Sequence, residues 1–206
     1  MIRQQNITKG LSFIMLRLFV ALRPPPAIRQ LLLAATGGVS HARWQDDEQL
    51  HCTLRFIGEV DRPQAEDIAA TLASLHAPAP LVRIAGVGRF AHKGRTDTLW
   101  AGLAPHDTLH HLARKVEAAC TRAGLPPERR AYLPHITLAR LPRSAGMAPE
   151  IDGWLGGHAG LTSPVFTCSH IVLYQSHLGH GGAAYEPVAR WPLVSATEQG
   201  VSLPGS

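Results

Sequence analysis

Leu50-His51-Cys52-Thr53-Leu54-Arg55-Phe56-Ile57-Gly58 and Pro134-His135-Ile136-Thr137-Leu138-Ala139-Arg140-Leu141 are the two stretches on which the fold turns. Each is a short apolar run bounded by glycine or proline, the pattern of a strand with at least one buried face. The proline of the second run sits at its first residue, where a missing N–H is tolerated. Alternation turns Cys52, Leu54 and Phe56 of the first run toward the core, and Ile136 and Leu138 of the second. His51 with Thr53, and His135 with Thr137, then share the opposite face, an imidazole beside a hydroxyl on the surface not used for packing. Two such strands facing each other would line a cleft.

Working outward, Leu16–Leu22 reads as a buried strand, followed by Pro24–Pro26 and a helix with Ile28, Leu31, Leu32 and Ala35 on one face and Gly37-Gly38 as its stop. After the first histidine run, Pro63 opens a helix carrying Ile68, Leu72 and Leu75 at helical spacing. Residues 81–90 and 98–103 read as antiparallel strands joined by the turn-rich His92-Lys93-Gly94-Arg95. Residues 108–123 predict a helix with Leu109, Leu112, Val116 and Cys120 inside and Gly124 at its end. Residues 146–163 read as loop-rich, and 165–175 and 185–191 as closing strands around a glycine-rich loop at 179–182. The string His106-Asp107-Thr108-Leu109 repeats the letters of the histidine motifs, but it opens a helix, where Asp107 or Thr108 would serve as an N-cap.

With 206 residues, 45% hydrophobic and 17% charged, the chain can bury a core as one domain. A formal charge of +5 favours anionic partners, though the arginines are scattered along the chain. Cys52, Cys120 and Cys168 are odd in number and far apart, which argues against a disulfide framework or a zinc ribbon and for a reducing cytoplasm. The apolar stretch at 11–22 is interrupted by Arg17, lacks a small-residue cleavage site and is too short to span a bilayer, so no membrane role is expected. Residues 1–15 read as a dispensable extension, 16–193 as the folded domain and 194–206 as a flexible tail. A monomer is the default expectation.

A pair of imidazoles suits hydrolysis of a cyclic phosphate: one, neutral, takes a proton from water while the other, charged, protonates the departing ribose oxygen. Thr53 and Thr137 could donate to the nonbridging oxygens and so stabilise charge without a metal or cofactor. No alternative metal motif is present. His106, His110 and His111 have helical spacing but lack the glutamate of His-Glu-x-x-His, and His177 and His180 have no cysteine or aspartate near them in sequence.

At these residues the chain resembles the two-histidine phosphoesterase superfamily, in its bacterial RNA 2′,3′-cyclic phosphodiesterase branch, also called the 2′-5′ RNA ligase family. The resemblance runs from Arg17-Leu18-Phe19-Val20-Ala21-Leu22 through both histidine motifs and Phe56-Ile57-Gly58 to Leu173-Tyr174-Gln175-Ser176, covering residues 16–193. It implies an α+β fold of two pseudo-twofold lobes, each an antiparallel sheet backed by helices, around a central cleft. The 84-residue offset between the motifs agrees with such a duplication. It further implies His51 as general acid on the 3′ oxygen, His135 as general base for water, a 2′-phosphomonoester product, and RNA ends or nucleotides bearing a 2′,3′-cyclic phosphate as substrates. Arg140, five residues after the second histidine, would lie near the phosphate or nucleotide; strict alternation puts it on the wrong face, so a bulge or the strand's end must re-aim it. Phe90, Tyr132 and Trp44 could stack on a base but are assigned to packing. Two other functions stay open: reversible 2′-5′ RNA ligation at the same histidines, and a nucleotide- or RNA-binding module without turnover.

Overall fold

The computed structural model describes residues 15–179 and 182–194; the extension before residue 15, most of the glycine-rich loop's tip and the tail after 194 lie outside the described residues. The elements run β1 (Leu16–Leu22), α1 (Pro26–Ala34), β2 (Arg43–Trp44), β3 (Cys52–Val60), α2 (Arg62–Ala73), β4 (Leu81–His92), β5 (Arg95–Ala104), α3 (His106–Arg122), β6 (His135–Arg140), α4 (Glu150–His158), β7 (Phe166–Thr167), β8 (His170–Gly179) and β9 (Gly182–Pro192). A single 3-10 turn at Asp47–Gln49 leads into the first histidine.

All pairings between these strands are antiparallel, in the order β7-β4-β5-β6-β3-β1-β8-β9, with β2 also on β6. The fold is therefore α+β, as expected, but the two expected sheets are one hydrogen-bonded path. Its halves, β7-β4-β5-β6 and β3-β1-β8-β9, meet where β3 pairs with β6 through the single register pair Cys52↔Ile136. Beyond that point the strands part, and β2 takes over beside β6, pairing Arg43 with Arg140 and Trp44 with Ala139.

The helices cover one face of this sheet because each presents an apolar stripe: Ile28 and Leu32 on α1, Ala65, Ile68 and Leu72 on α2, and Leu109, Leu112, Val116 and Cys120 on α3. Beneath them Val20, Leu50, Ile84, Leu99, Ile136 and Leu138 are excluded from solvent in one continuous core. Asp61 caps α2 by accepting from the Gln64 amide at 2.9 Å. Gly124, at φ +90°, ends α3 as the pattern predicts.

Several elements differ from expectation: β2 was not expected, and the strand read at 165–175 is broken into β7 and β8, with β8 continuing to Gly179. The stretch 146–163 contains α4, whose Ile151 and Trp154 are buried one turn apart and whose Trp154 indole donates to the Ala35 carbonyl at 3.1 Å. Three glycines in nine residues hid it, since each lowers helix propensity by about 1 kcal/mol. The helix α3 starts earlier than expected, at His106, with Pro105 in the cap position and no side-chain cap. Asp107 contributes instead as a negative charge in the first turn, favourable toward the helix dipole.

Candidate active site

The β3–β6 seam places the two motifs against each other. Cys52↔Ile136 is an antiparallel pair, so His51 and Thr137 flank it on one side and Thr53 and His135 on the other. Cys52 and Ile136 are buried beneath the seam, and period-two alternation sends the two histidines and two threonines to the other face. The imidazoles thus flank the one paired position diagonally, one from each strand, and both line the same cleft.

The same local device orients both rings. His51 Nδ1 lies 2.7 Å from the Gln49 carbonyl and His135 Nδ1 2.7 Å from the Leu133 carbonyl, each two residues back along the chain. A carbonyl only accepts, so Nδ1 carries the proton, and Nε2 of each neutral ring is left to accept from, or when protonated donate to, whatever occupies the cleft. Burial pushes the His51 pKa down from 6.5 to about 4, against the opposing pull of its carbonyl partner and with the nearby His135 and Arg140 adding to the depression. His135 is lowered in the same direction, again chiefly by burial and then by Arg140. Without an anion both rings are neutral at physiological pH.

Aromatic walls hold each ring. Phe19 packs on His51 with centroids 4.8 Å apart, Tyr174 stacks behind Phe19, and Tyr185 meets His51 edge-on at 5.1 Å. Across the cleft, Phe90 meets His135 edge-on at 4.9 Å, with Trp100 behind it. Trp100 lies flat over Gly88, where any Cβ would come within 2.2 Å of the indole. Phe19, Tyr185 and Phe90 line a cleft of about 950 Å³ together with His51, Thr53, His135, Thr137 and Arg140.

A bulge brings Arg140 there. Along β5 and β6, Trp100 pairs with Thr137 and Leu99 with Ala139, so Leu138 is the extra residue; Leu138 and Ala139 both point into the core, and Arg140 emerges on the histidine face. Thr98 Oγ1 accepts from its guanidinium at 2.9 Å. The mirror-image event occurs in β3. Ala21 pairs with Thr53 and Val20 with Arg55, which leaves Leu54 as the extra residue and returns Phe56 to the cleft face, 49% exposed. The expectation that Phe56 belongs to the core is therefore corrected: it occupies in one half the position that Arg140 holds in the other, at the same 84-residue offset as the histidines.

Of the aromatics assigned to packing, Trp44 does pack on Trp154 against the core, whereas Phe90 and Tyr132 line the cleft. The Tyr132 hydroxyl lies 3.5 Å from Cys52 Sγ, and burial raises that thiol to about 11, which keeps it protonated and unreactive. Phe19 and Tyr185 were missed. The signal for Phe19 was the unbroken apolar run of β1, buried on both faces: Leu18, Val20 and Leu22 in the main core, Phe19 and Ala21 in a second cluster with Val172 and Tyr174. Among the described residues, no three His, Cys, Asp or Glu side chains converge as a set able to hold a metal ion.

Residues 23–180 match the 2′-5′ RNA ligase superfamily. A Geobacillus stearothermophilus protein named RNA 2′,3′-cyclic phosphodiesterase is 33% identical over 168 residues, 80% of this chain; the chain spans about half, 52%, of that relative's length. One of the same name from Aeropyrum pernix is 33% identical over 142 residues, covering 68% of this chain and 80% of that protein. The crystal structure of E. coli LigT in apo form superposes with a TM-score of 0.70 at 26% identity, over 87% of this chain and 98% of that one.

Proposed function

The chain belongs to the 2′-5′ RNA ligase superfamily, and from that membership and the paired imidazoles we propose that it hydrolyses RNA or nucleotide 2′,3′-cyclic phosphates to 2′-phosphomonoesters. The observation that carries this reading is the register that sets His51 and His135 diagonally across one seam, each with Nε2 free and a threonine of the other motif on its side of the paired position.

In this reading the anionic cyclic phosphate seats between the rings and supplies the countercharge that burial denies them, so that His51 takes up a proton as substrate binds. His135 Nε2 accepts a proton from water, whose oxygen attacks phosphorus opposite O3′. The P–O3′ bond breaks, and His51 Nε2 gives its proton to O3′, leaving the phosphate on O2′. Thr53 and Thr137 donate to the nonbridging oxygens as negative charge builds on them. Arg140 and Phe56, one on each side, offer a cation and an aromatic face to the nucleotide. Both histidines come from one chain, so a monomer suffices. No described helix is long and apolar enough to cross a membrane, and the three cysteines are unpaired and buried, which supports placement in a reducing cytoplasm. Residues 16–193 form the catalytic unit, with 1–15 and 194–206 dispensable.

The experiment is hydrolysis of a 2′,3′-cyclic mononucleotide in EDTA, with the phosphate position in the product read by ³¹P NMR. Turnover that survives chelation and yields the 2′-phosphate is expected. Activity abolished by EDTA, or a 3′-phosphate product, would overturn the reading.

A further inference from the structure

A second concave site lies at the tip of the β4–β5 hairpin. It is a hollow of about 490 Å³, lined by His92, Lys93, Arg95 and Arg143 with Asp97 as the one carboxylate. Among the described residues, Lys93, Arg95 and Arg143 form no ion pair. Asp97 is already engaged, accepting from the Thr98 hydroxyl at 2.8 Å, and that same hydroxyl accepts from Arg140 in the catalytic cleft. The chain Arg140–Thr98–Asp97 thus joins cleft to hollow, and Arg95 lies only three residues along β5 from Thr98, roughly 10 Å at strand rise.

The turn itself points to a role for its lysine. Lys93 and Gly94 both have positive φ, 51° and 75°, between the paired His92 and Arg95, the geometry of a type I′ hairpin turn. Asn or Gly suits the first of these positions, and a long L side chain there is uncommon. The chain keeps a cation where turn chemistry prefers another residue.

We infer that this hollow is a subsite for backbone phosphates of an RNA strand whose cyclic end sits between His51 and His135, which makes RNA oligomers rather than mononucleotides the preferred substrates. The inference rests on the phosphodiesterase reading, and three cations against one carboxylate in a concavity beside the cleft match a polyanion that extends past its reacting end.

The test is the triple variant Lys93→Asn, Arg95→Gln, Arg143→Gln, which removes charge while keeping a residue suited to the turn. It is compared with wild type on a cyclic mononucleotide and on a ten-nucleotide RNA ending in a 2′,3′-cyclic phosphate. The variant is expected to keep the mononucleotide rate, to lose at least about tenfold in kcat/KM on the RNA at low salt, and to show a log–log salt slope shallower by about 2. Equal losses on both substrates, or no loss on the RNA, would overturn the inference. Fluorescence anisotropy with the same RNA ending in a 2′-phosphate reads the hollow without turnover, and unchanged affinity in the variant would overturn it equally. Failure of wild type to hydrolyse either substrate would sink the phosphodiesterase reading instead, while the anisotropy would still decide the hollow.

Discussion

At the scale of single residues, His51 and His135 share a motif position, a carbonyl on Nδ1 and a depressed pKa, so their division of labour has to be read by chemistry. His51→Ala and His135→Ala are each expected to lower kcat by at least about a hundredfold, the lower end for a lost acid or base. A substrate with sulfur in place of the 3′ oxygen, a leaving group that needs no proton, should restore most of the rate to His51→Ala and none to His135→Ala; rescue of the other variant would exchange the two roles. The buried ring also sets a pH dependence of stability. Because folding depresses the His51 pKa from 6.5 to about 4, the unfolded chain takes up the proton first. This contribution leaves stability full above about pH 6.5 and erodes it as pH falls toward 4. Denaturant midpoints at pH 7 and pH 4.5 should therefore lie further apart in wild type than in His51→Gln. The residue types and their shared face were legible in the sequence because alternation holds from His51 to Thr53 and from His135 to Thr137. The carbonyls that fix the tautomer were not, since they depend on how the chain bends ahead of each strand.

At the scale of elements, what the sequence concealed were the bulges. Nothing in the letters of Thr53-Leu54-Arg55-Phe56 marks Leu54 as unpaired, because a bulge is a property of two strands in register. Its consequence is measurable: Phe56→Ala should cost well under the roughly 3–5 kcal/mol of a buried phenylalanine while raising KM for nucleotides, and a core-sized loss of stability would contradict the bulge. Arg140 posed the same problem from the other side, since its expected role required a re-aiming that only the extra Leu138 provides. The helix α4 was hidden by composition. Its Gly153, Gly156 and Gly157 have open space where a Cβ would go, so Gly153→Ala should stabilise the protein by about 0.5–1 kcal/mol in thermal or urea unfolding, with activity unchanged. The long strands β1, β3, β4 and β6 and the three amphipathic helices were read close to their observed bounds, because each carries an apolar period that its packing requires, whereas the short β2 and β7 are too brief to show one.

At the scale of the whole molecule, the two halves of the sheet meet at one paired position, and the proposed catalytic histidines sit on either side of it. The sequence showed two like motifs at a fixed offset; that the offset corresponds to an antiparallel pairing of the motifs with each other follows only from the fold. The geometry proposed for the site has both imidazoles addressing one phosphorus atom. Its most direct test is the crystal structure of the protein with a nucleoside 2′-monophosphate bound. A phosphate within hydrogen-bond reach of both His51 Nε2 and His135 Nε2 is expected, with the Thr53 and Thr137 hydroxyls donating to its oxygens. A phosphate held by one histidine while the other ring points elsewhere would contradict it.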